Sequence, residues 1–192
     1  MRKIERVFLH GVDGVTEIWL IRHGDCYADL TNPADPPLSA LGHRQARLLA
    51  ERVKAAGISA VYASDLTRAL ETAEAIGLPV TADPRLREIQ NDALETAKVV
   101  LNSSLSYSES AEEVQARMTA AIGDIAKAHP GERVAVVSHG VAILLYACSI
   151  LRMEFSDLRL LPYYTSVTVV RVHPDRVMVG SLVDATHLVG LD

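Results

Sequence analysis

Cysteine is scarce in this chain, with only Cys26 and Cys148 among 192 residues. Two cysteines cannot build the disulfide framework on which many small secreted proteins depend, so the sequence favours a reducing compartment. Long apolar runs are lacking too, since the longest, at residues 141–151, is too short and too interrupted to span a bilayer. The first residues are rich in charge and show no signal-peptide pattern. We therefore expect a cytoplasmic protein with no membrane partner.

An excess of basic residues is also missing. The chain has 19 Lys and Arg against 24 Asp and Glu, a formal net charge of −5. Nucleic-acid-binding proteins usually carry clustered Lys and Arg on a basic background, so we expect no nucleic-acid partner. A local basic pocket for a small anion is still compatible with this charge. The length suits one domain over residues 1–192, large enough to bury a core without disulfides.

Short apolar segments alternate with helical patterns along the chain. The predicted strands lie at residues 18–21, 58–63, 78–82 and 133–138. The predicted helices lie at residues 39–56, 65–76, 110–129 and 140–152. Residues 166–172 and 176–183 flank His-Pro-Asp and predict a hairpin. The expected fold is an α/β three-layer sandwich: a mostly parallel central sheet, helices on both faces and a C-terminal hairpin.

Two histidines follow predicted strands directly. His23 stands between Arg22 and Gly24 at the end of one strand, and His139 precedes Gly140 at the end of another. In parallel α/β sheets, ligands bind beyond the carboxyl ends of the strands. A glycine has no side chain, so the backbone there can approach a ligand closely. These positions predict a binding site at that edge of the sheet.

Arg68 is predicted in the first turn of the helix after another strand. A cation there opposes the helix dipole at a cost of about 0.3–1 kcal/mol. An anion between Arg68 and the helix N-terminus would offset that cost, and the helix beginning near Gly140 offers a second positive end. Arg22 and Arg68 would both supply paired donors to anionic oxygens. The pattern predicts a phosphate-sized dianion as the ligand.

Phosphoryl transfer needs a nucleophile, stabilisation of charge on the equatorial oxygens and a proton donor for the leaving group. Histidine meets the first need, because a neutral imidazole attacks phosphorus without prior deprotonation. Glu88 follows the third predicted strand, at the same edge of the sheet, and could donate the proton. Asp92 and Glu95 lie close by in sequence and are the alternatives for this role.

Six segments of the chain occur in an order that resembles the histidine phosphatase superfamily, also called phosphoglycerate mutase-like. They are LIRHGD, PLSALGHRQA, VYASDLTRALETA, LREI, ESAEEVQARM and VAVVSHG. The resemblance implies that His23 is the nucleophile and becomes a phosphohistidine. It also implies that Arg22, Arg68 and His139 bind the phosphoryl group, and that Glu88 is the general acid and later the base. No metal and no organic cofactor are implied.

Departures from the family pattern favour a phosphatase over a mutase. Asp29 stands roughly where mutases typically carry an asparagine, and its charge would repel a second phosphate. The glycine and the aromatic-Glu-Gly run that follow this glutamate in mutases and many broad phosphatases are absent after Glu88, which leaves Asp92 and Glu95 open as proton donors and a binding protein open as the function. We expect a phosphomonoester hydrolase for a small phosphorylated metabolite. A phosphoglycerate-type mutase and a catalytically weak phospho-ligand-binding protein are the alternatives.

Several residues near these motifs have simpler interpretations. Ser64 is expected to cap the helix that follows it, and Arg117 to form an ordinary ion pair. Cys26 is interpreted as a bystander. Tyr163 and Tyr164 either line the rim of the pocket or only pack against neighbouring side chains.

Two imidazoles in one anion site titrate together, which predicts a bell-shaped dependence of the rate on pH with its optimum on the acidic side of neutral.

Three segments are hard to interpret. Residues 90–109 predict a short helix and a serine-rich loop, and together with the loop at residues 29–39 they are expected to set substrate specificity. Residues 4–9 predict an extra edge strand. That strand could pair within the sheet or with a second copy of the chain, which leaves a homo-oligomer open.

Overall fold

A computed structural model describes residues 6–26, 35–89, 109–160 and 162–191. Its strands are β1 (Thr16–Arg22), β2 (Ala60–Ala63), β3 (Val80–Ala82), β4 (Arg133–Ser138), β5 (Val167–His173) and β6 (Arg176–Asp184). Its helices are α1 (Ala40–Ala56), α2 (Thr67–Glu74), α3 (Ala111–Ala128) and α4 (Gly140–Leu151). Short 3₁₀ turns cover Pro84–Leu86, Phe155–Asp157 and Thr186–Leu188.

The six strands form one sheet in the order β3-β2-β4-β1-β5-β6. β1, β4, β2 and β3 pair in parallel, whereas β5 is antiparallel to β1 and forms a hairpin with β6. The register sets Arg22 of β1 level with Ser138 of β4, and Ala63 of β2 level with Val137. The predicted mostly parallel sheet with a C-terminal hairpin is confirmed, and the carboxyl ends of β1, β2 and β4 meet at one edge.

Alternate residues of the central strands pack on opposite faces of the sheet. In β1, Ile18 and Leu20 pack into a core with side chains of α3 and α4. Trp19 and Ile21 pack into a second core with side chains of α1 and α2. β4 alternates in the same way, and burying each large aliphatic side chain contributes roughly 1.5–3 kcal/mol. Helices therefore cover both faces of the sheet, and the predicted three-layer sandwich is confirmed.

The ends of α1 and α3 follow from their capping residues. Ser39 caps α1 as predicted, because its hydroxyl accepts a hydrogen bond from the Gly42 amide at 2.9 Å. α1 ends at Gly57, whose φ of 70° suits a residue without a side chain. Ser110 and Glu113 form a reciprocal capping box at the start of α3.

The prediction that Ser64 caps the helix carrying Arg68 is wrong. α2 begins only at Thr67, and Leu66 at the N-cap position makes no side-chain hydrogen bond. Asp35, from a distant loop, accepts hydrogen bonds from the Thr67 amide at 2.8 Å and from its hydroxyl at 2.7 Å. A carboxylate from another segment therefore supplies the cap, and the hydroxyl of Ser64 serves the site described below.

The predicted edge strand at the N-terminus is also wrong within the described residues. Residues 6–11 form a short helical turn, in which the Leu9 amide donates to the Arg6 carbonyl at 3.1 Å. The turn buries Leu9 to 2 % exposure and leaves Val7 and Phe8 about half exposed. The structure therefore gives no support for a homo-oligomer formed by pairing of that strand.

Several residues named in the predictions lie outside the described residues, namely Asp29, Asp92, Glu95 and residues 90–108.

In the ranges that the structure describes, no helix combines the length and apolar character needed to cross a bilayer.

Gly42 sits where α1 touches the chain that follows β1. A Cβ at this position would lie 2.0 Å from the Asp25 carbonyl oxygen, which is far inside contact distance. We expect Gly42→Ala to lower the free energy of unfolding by about 1–3 kcal/mol, because α1 or the Asp25 loop must move. Urea unfolding followed by circular dichroism measures this change.

Gly123 provides the matched control, since it lies inside α3 and a methyl group added there would have no atom within 4 Å. Gly123→Ala should raise the free energy of unfolding by about 0.5–1 kcal/mol, because alanine loses less backbone entropy in a helix. A destabilised Gly123→Ala variant, or a Gly42→Ala variant as stable as the parent, would contradict this packing.

Candidate active site

The predicted site residues of β1, β4 and α2 converge at the carboxyl edge of the sheet. The rings of His23 and His139 lie 5.1 Å apart between centroids. Nε of Arg68 lies 3.3 Å from Nε2 of His23. The Arg22 guanidinium stacks 3.9 Å above the ring of Tyr164, whose centroid is 5.7 Å from that of His23. Two imidazoles and two guanidiniums thus surround one small region.

Hydrogen bonds fix both the position and the tautomer of His23. Its amide donates to the Ser138 carbonyl at 3.0 Å, which ties the end of β1 to the end of β4. Nδ1 lies 2.7 Å from the Gly24 carbonyl, so this nitrogen carries the proton. Nε2 accepts from Arg68 and therefore presents a lone pair. This is the arrangement that a nucleophilic imidazole requires.

The surroundings of His23 hold its ring neutral. Burial is the largest cause and lowers the pKa of His23 to about 3, with the positive charge of Arg68 and then of Arg22 acting in the same direction. The hydrogen bond to the Gly24 carbonyl opposes this shift. Nε2 consequently stays unprotonated throughout the physiological pH range.

His139 is fully buried at the position before α4. Its Nε2 lies 2.9 Å from the hydroxyl of Ser64, and its Nδ1 has no hydrogen-bond partner in the described ranges. Burial is the largest cause that lowers the pKa of His139 well below its ordinary value, and the positive charge of Arg68 acts in the same direction. The neutral ring of His139 is therefore favoured.

Both arginines present buried nitrogen atoms that form no hydrogen bond with any described residue. These atoms are Nε of Arg22 and Nη1 of Arg68. Arg22 is anchored at its other end by the Pro162 carbonyl, and Nη1 of Arg68 stands 3.6 Å from a carboxylate oxygen of Asp35. A buried donor without a hydrogen bond costs about 1–3 kcal/mol, so such groups are rare unless they bind a ligand.

Glu88 lies against the start of α4 rather than in open solvent. Its carboxylate accepts hydrogen bonds from the amides of Val141 at 3.1 Å, Ala142 at 2.8 Å and Ile89 at 3.0 Å. The Glu88 carboxylate thus occupies two amides at the start of α4, and a phosphate contact with this helix end stays a prediction for Gly140 alone. Burial raises the pKa of Glu88, while the three backbone amides act in the opposite direction.

The two glycines beside the histidines serve packing. The amide of Gly24 donates to the Thr72 hydroxyl at 2.9 Å, and a Cβ on Gly24 would lie 2.9 Å from the Gly42 carbonyl oxygen. A Cβ on Gly140 would lie 3.3 Å from Nε of Arg22. The expected phosphate contact through Gly24 is corrected, because its donor is occupied and α1 takes the space beside it. Gly140 leaves room for the Arg22 side chain, and its contact with a ligand stays a prediction.

Sequence reasoning missed several groups that hold the site. Thr72 lies one helical turn after Arg68, and its hydroxyl donates a hydrogen bond to the Arg68 carbonyl at 2.7 Å and accepts one from the Gly24 amide. The spacing of four residues between Thr72 and Arg68 is a signal that the sequence did offer. The Pro162 carbonyl that binds Arg22 is a backbone group and leaves no signal in the sequence. Tyr164 lines the site, whereas Tyr163 is 58 % exposed.

The site is rich in nitrogen donors, which suits an anion. In the described ranges no three His, Cys, Asp or Glu side chains lie together as a metal centre would require. Cys26 stays partly exposed, and burial is the main cause that raises the pKa of its thiol. A protonated thiol is a poor nucleophile, which agrees with the interpretation of Cys26 as a bystander.

Comparison with known proteins agrees with the geometry. The probable phosphoglycerate mutase GpmB of Yersinia enterocolitica is 34 % identical over 152 residues, which cover 66 % of this chain and 71 % of that protein. YhfR of Bacillus stearothermophilus has a TM-score of 0.75 at 28 % identity, covering 90 % of this chain and 99 % of the other.

A phosphoserine phosphatase mutant of Entamoeba histolytica, solved with phosphoserine, shares the fold with a TM-score of 0.72 at 23 % identity, over 90 % of this chain and 99 % of that one. Residues 18–185 match the histidine phosphatase superfamily, branch 1. The matched region contains His23, His139 and all six strands apart from the first two residues of β1. The chain is therefore a member of branch 1 of the histidine phosphatase superfamily.

Proposed function

We propose that this chain is a phosphomonoester hydrolase that acts through a phosphohistidine on a small phosphorylated metabolite. The observation that best supports the proposal is a set of three buried nitrogen atoms without hydrogen bonds to described residues: Nε of Arg22, Nη1 of Arg68 and Nδ1 of His139. They belong to the residues around His23. A phosphoryl group in transfer presents three equatorial oxygens, so a phosphate would satisfy these donors.

In the first step, the lone pair on Nε2 of His23 attacks phosphorus. The N–P bond forms while the bond from phosphorus to the leaving oxygen breaks, and Glu88 gives its proton to that oxygen. Arg22 and Arg68 stabilise the charge on the equatorial oxygens, and the neutral His139 donates from Nδ1. The raised pKa of Glu88 favours the protonated form that this step needs.

In the second step, water attacks the phosphohistidine. The Glu88 carboxylate left by the first step accepts a proton from that water as its oxygen bonds to phosphorus. The P–N bond breaks, and its electron pair returns to Nε2 of His23. Inorganic phosphate leaves, and both side chains regain their starting protonation states. The low pKa of His23 makes the ring a good leaving group in its neutral form.

The pH dependence of kcat/KM for an alkyl phosphate tests these protonation states. His23 must be neutral, so activity is lost only as the pH falls through its pKa of about 3. Glu88 must be protonated, so activity declines as the pH rises above its raised pKa. We therefore expect an optimum on the acidic side of neutral, and we expect Glu88→Gln to lose the alkaline decline together with most of its rate. A rate that climbs steadily to about pH 9 would contradict this assignment.

A phosphoglycerate-type mutase is the second candidate, since the relative GpmB is named a probable phosphoglycerate mutase. A mutase substrate carries further anionic groups, which need additional cations. Near the site, Arg87 already pairs with Asp65 through two contacts of 2.6 Å, and Arg68 stands beside Asp35. Because these arginines already lie beside carboxylates, they are poorly placed to bind further anionic groups, which supports the hydrolase.

Two assays separate the candidates. Incubation with 3-phosphoglycerate, with and without its bisphosphate primer, should release inorganic phosphate without a need for primer. Primer-dependent isomerisation without phosphate release would instead establish the mutase. If the wild type hydrolyses neither 4-nitrophenyl phosphate nor a panel of phosphomonoesters between about pH 5 and 8, the chain is a phospho-ligand-binding protein. The cytoplasmic location stays a prediction.

A further inference from the structure

Arg117 of α3 binds the segment that carries Glu88 with its whole guanidinium group. Nη1 donates to the carbonyls of Arg85 and Arg87, each at 2.7 Å, and Nη2 donates to the Glu88 carbonyl at 3.2 Å. Nε and Nη2 donate to the two carboxylate oxygens of Glu109 at 2.6 and 2.9 Å. These bonds employ all five N–H groups that an arginine has.

The segment held by Arg117 has little other structure of its own. It begins inside the 3₁₀ turn Pro84–Leu86, and Arg87 and Glu88, which follow the turn, lie in neither a helix nor a strand. The Leu86 carbonyl accepts from the hydroxyl of Ser138 at 2.7 Å, next to His139. Four successive carbonyls, at residues 85 to 88, are therefore bound by side chains of α3 and β4.

From this geometry we infer that Arg117 is a positioning residue for the acid Glu88, an inference that rests on the proposed hydrolase function. The guanidinium fixes the backbone at Glu88 itself and at two of the preceding residues. The carboxyl group is thereby presented to the α4 amides of Val141 and Ala142, beside His139. The predicted ion pair of Arg117 does exist, with Glu109, but it is only part of this network.

Lysine cannot replace this arginine. The three carbonyls and the carboxylate lie in different directions, and they match the planar fork of a guanidinium rather than a single ammonium group. Glu109 balances the positive charge, since both side chains are largely buried, with exposures of 18 % and 16 %. Arg117→Lys thus keeps the charge and removes most of the bonds to the loop.

If Arg117 positions the acid, the loss of activity on its substitution should depend on the leaving group of the substrate. If its role is purely structural, the loss should be the same for every leaving group. An alkoxide leaving group needs the proton of Glu88, whereas 4-nitrophenolate leaves readily without it. For Arg117→Lys we expect kcat/KM to fall about 10- to 100-fold with an alkyl phosphate and less than about 3-fold with 4-nitrophenyl phosphate. Glu88→Gln should show the same selectivity, more strongly.

Asp124→Asn is the matched control. Asp124 also links α3 to this segment, through an exposed ion pair with Arg85 at 2.8 Å, but it contacts no backbone there. We expect it to keep both activities. Should Arg117→Lys fail to fold, Glu109→Gln weakens the same network and should show a smaller loss of the same selectivity.

Equal losses of both activities in a folded Arg117→Lys or Glu109→Gln protein, or no loss of either, would overturn the inference. The proposed function fails by a different result, namely a wild type that hydrolyses neither substrate or a fully active His23→Asn protein. The two failures are therefore distinguishable within one set of assays.

Discussion

His23→Asn is expected to abolish hydrolysis, lowering kcat/KM by about 10⁴-fold or more. The asparagine amide can still donate toward the Gly24 carbonyl, as Nδ1 of His23 does, but it offers no nitrogen lone pair to phosphorus. The loss should therefore come from the missing nucleophile and not from a disturbed backbone. Steady-state assays with 4-nitrophenyl phosphate measure this loss.

His43→Asn makes the same replacement on an exposed turn of α1 and should leave the rate within about 2-fold of the wild type. The thermal unfolding midpoints of both variants show that each is folded. A His23→Asn protein that keeps a tenth or more of the wild-type rate would show that another group attacks the phosphoryl centre.

Arg68→Met should lower kcat/KM by about 10²–10³-fold, the usual effect of removing one preorganised donor to a developing oxyanion. Methionine has a stem of similar length, but it lacks the buried Nη1 and the Nε that contacts His23. The inhibition constants for phosphate and vanadate should rise together, since both anions need this donor. Progress curves with each inhibitor measure the change.

The same substitution should move the acid limb of the pH profile. The positive charge of Arg68 lowers the pKa of His23, so its removal raises that pKa and shifts the limb upward. Burial remains the largest cause, which keeps the pKa below its ordinary value. Arg47→Met removes one positive charge from an exposed position of α1 and serves as the control. Equal effects of the two substitutions would mean that only the overall charge matters.

The convergence of the site could be predicted because strand ends in a parallel sheet must meet. β1 and β4 pair in register, with Arg22 level with Ser138, so residues that follow each strand directly become neighbours. The alternation of Ile18 and Leu20 with Trp19 and Ile21 likewise required apolar layers on both faces. Strand periodicity and helix spacing were therefore enough to predict the layers of the fold and the place where the four central side chains meet.

The supporting contacts could not be predicted, since they join groups far apart in the chain. Ser64 has the local sequence of a helix cap, yet its hydroxyl bonds His139, which is 75 residues away. Asp35 caps α2 from a different loop, and Arg117 binds three backbone carbonyls. A carbonyl group is present in every residue, so no pattern of side chains marks the ones that a distant arginine selects.

The edge strand predicted at residues 4–9 was wrong because contacts with distant parts of the chain decide the structure there as well. Residues 4–9 hold three successive apolar side chains after two charged ones, and so short an apolar run fits an edge strand as well as a short turn. Burial of Leu9 in the described part of this segment favours the turn. Local propensity decides little in so short a segment, and tertiary contacts override it.

Trapping the phosphoenzyme tests the central claim most directly. Enzyme mixed with a phosphomonoester during turnover is quenched rapidly in alkali, digested and mapped by mass spectrometry, with His23→Asn treated in parallel. We predict one phosphoryl group on His23, stable in alkali and lost in acid, and none on the variant. A phosphoryl group on Ser64, Cys26 or any other residue, or active turnover with no trapped phosphoryl group, would contradict the account.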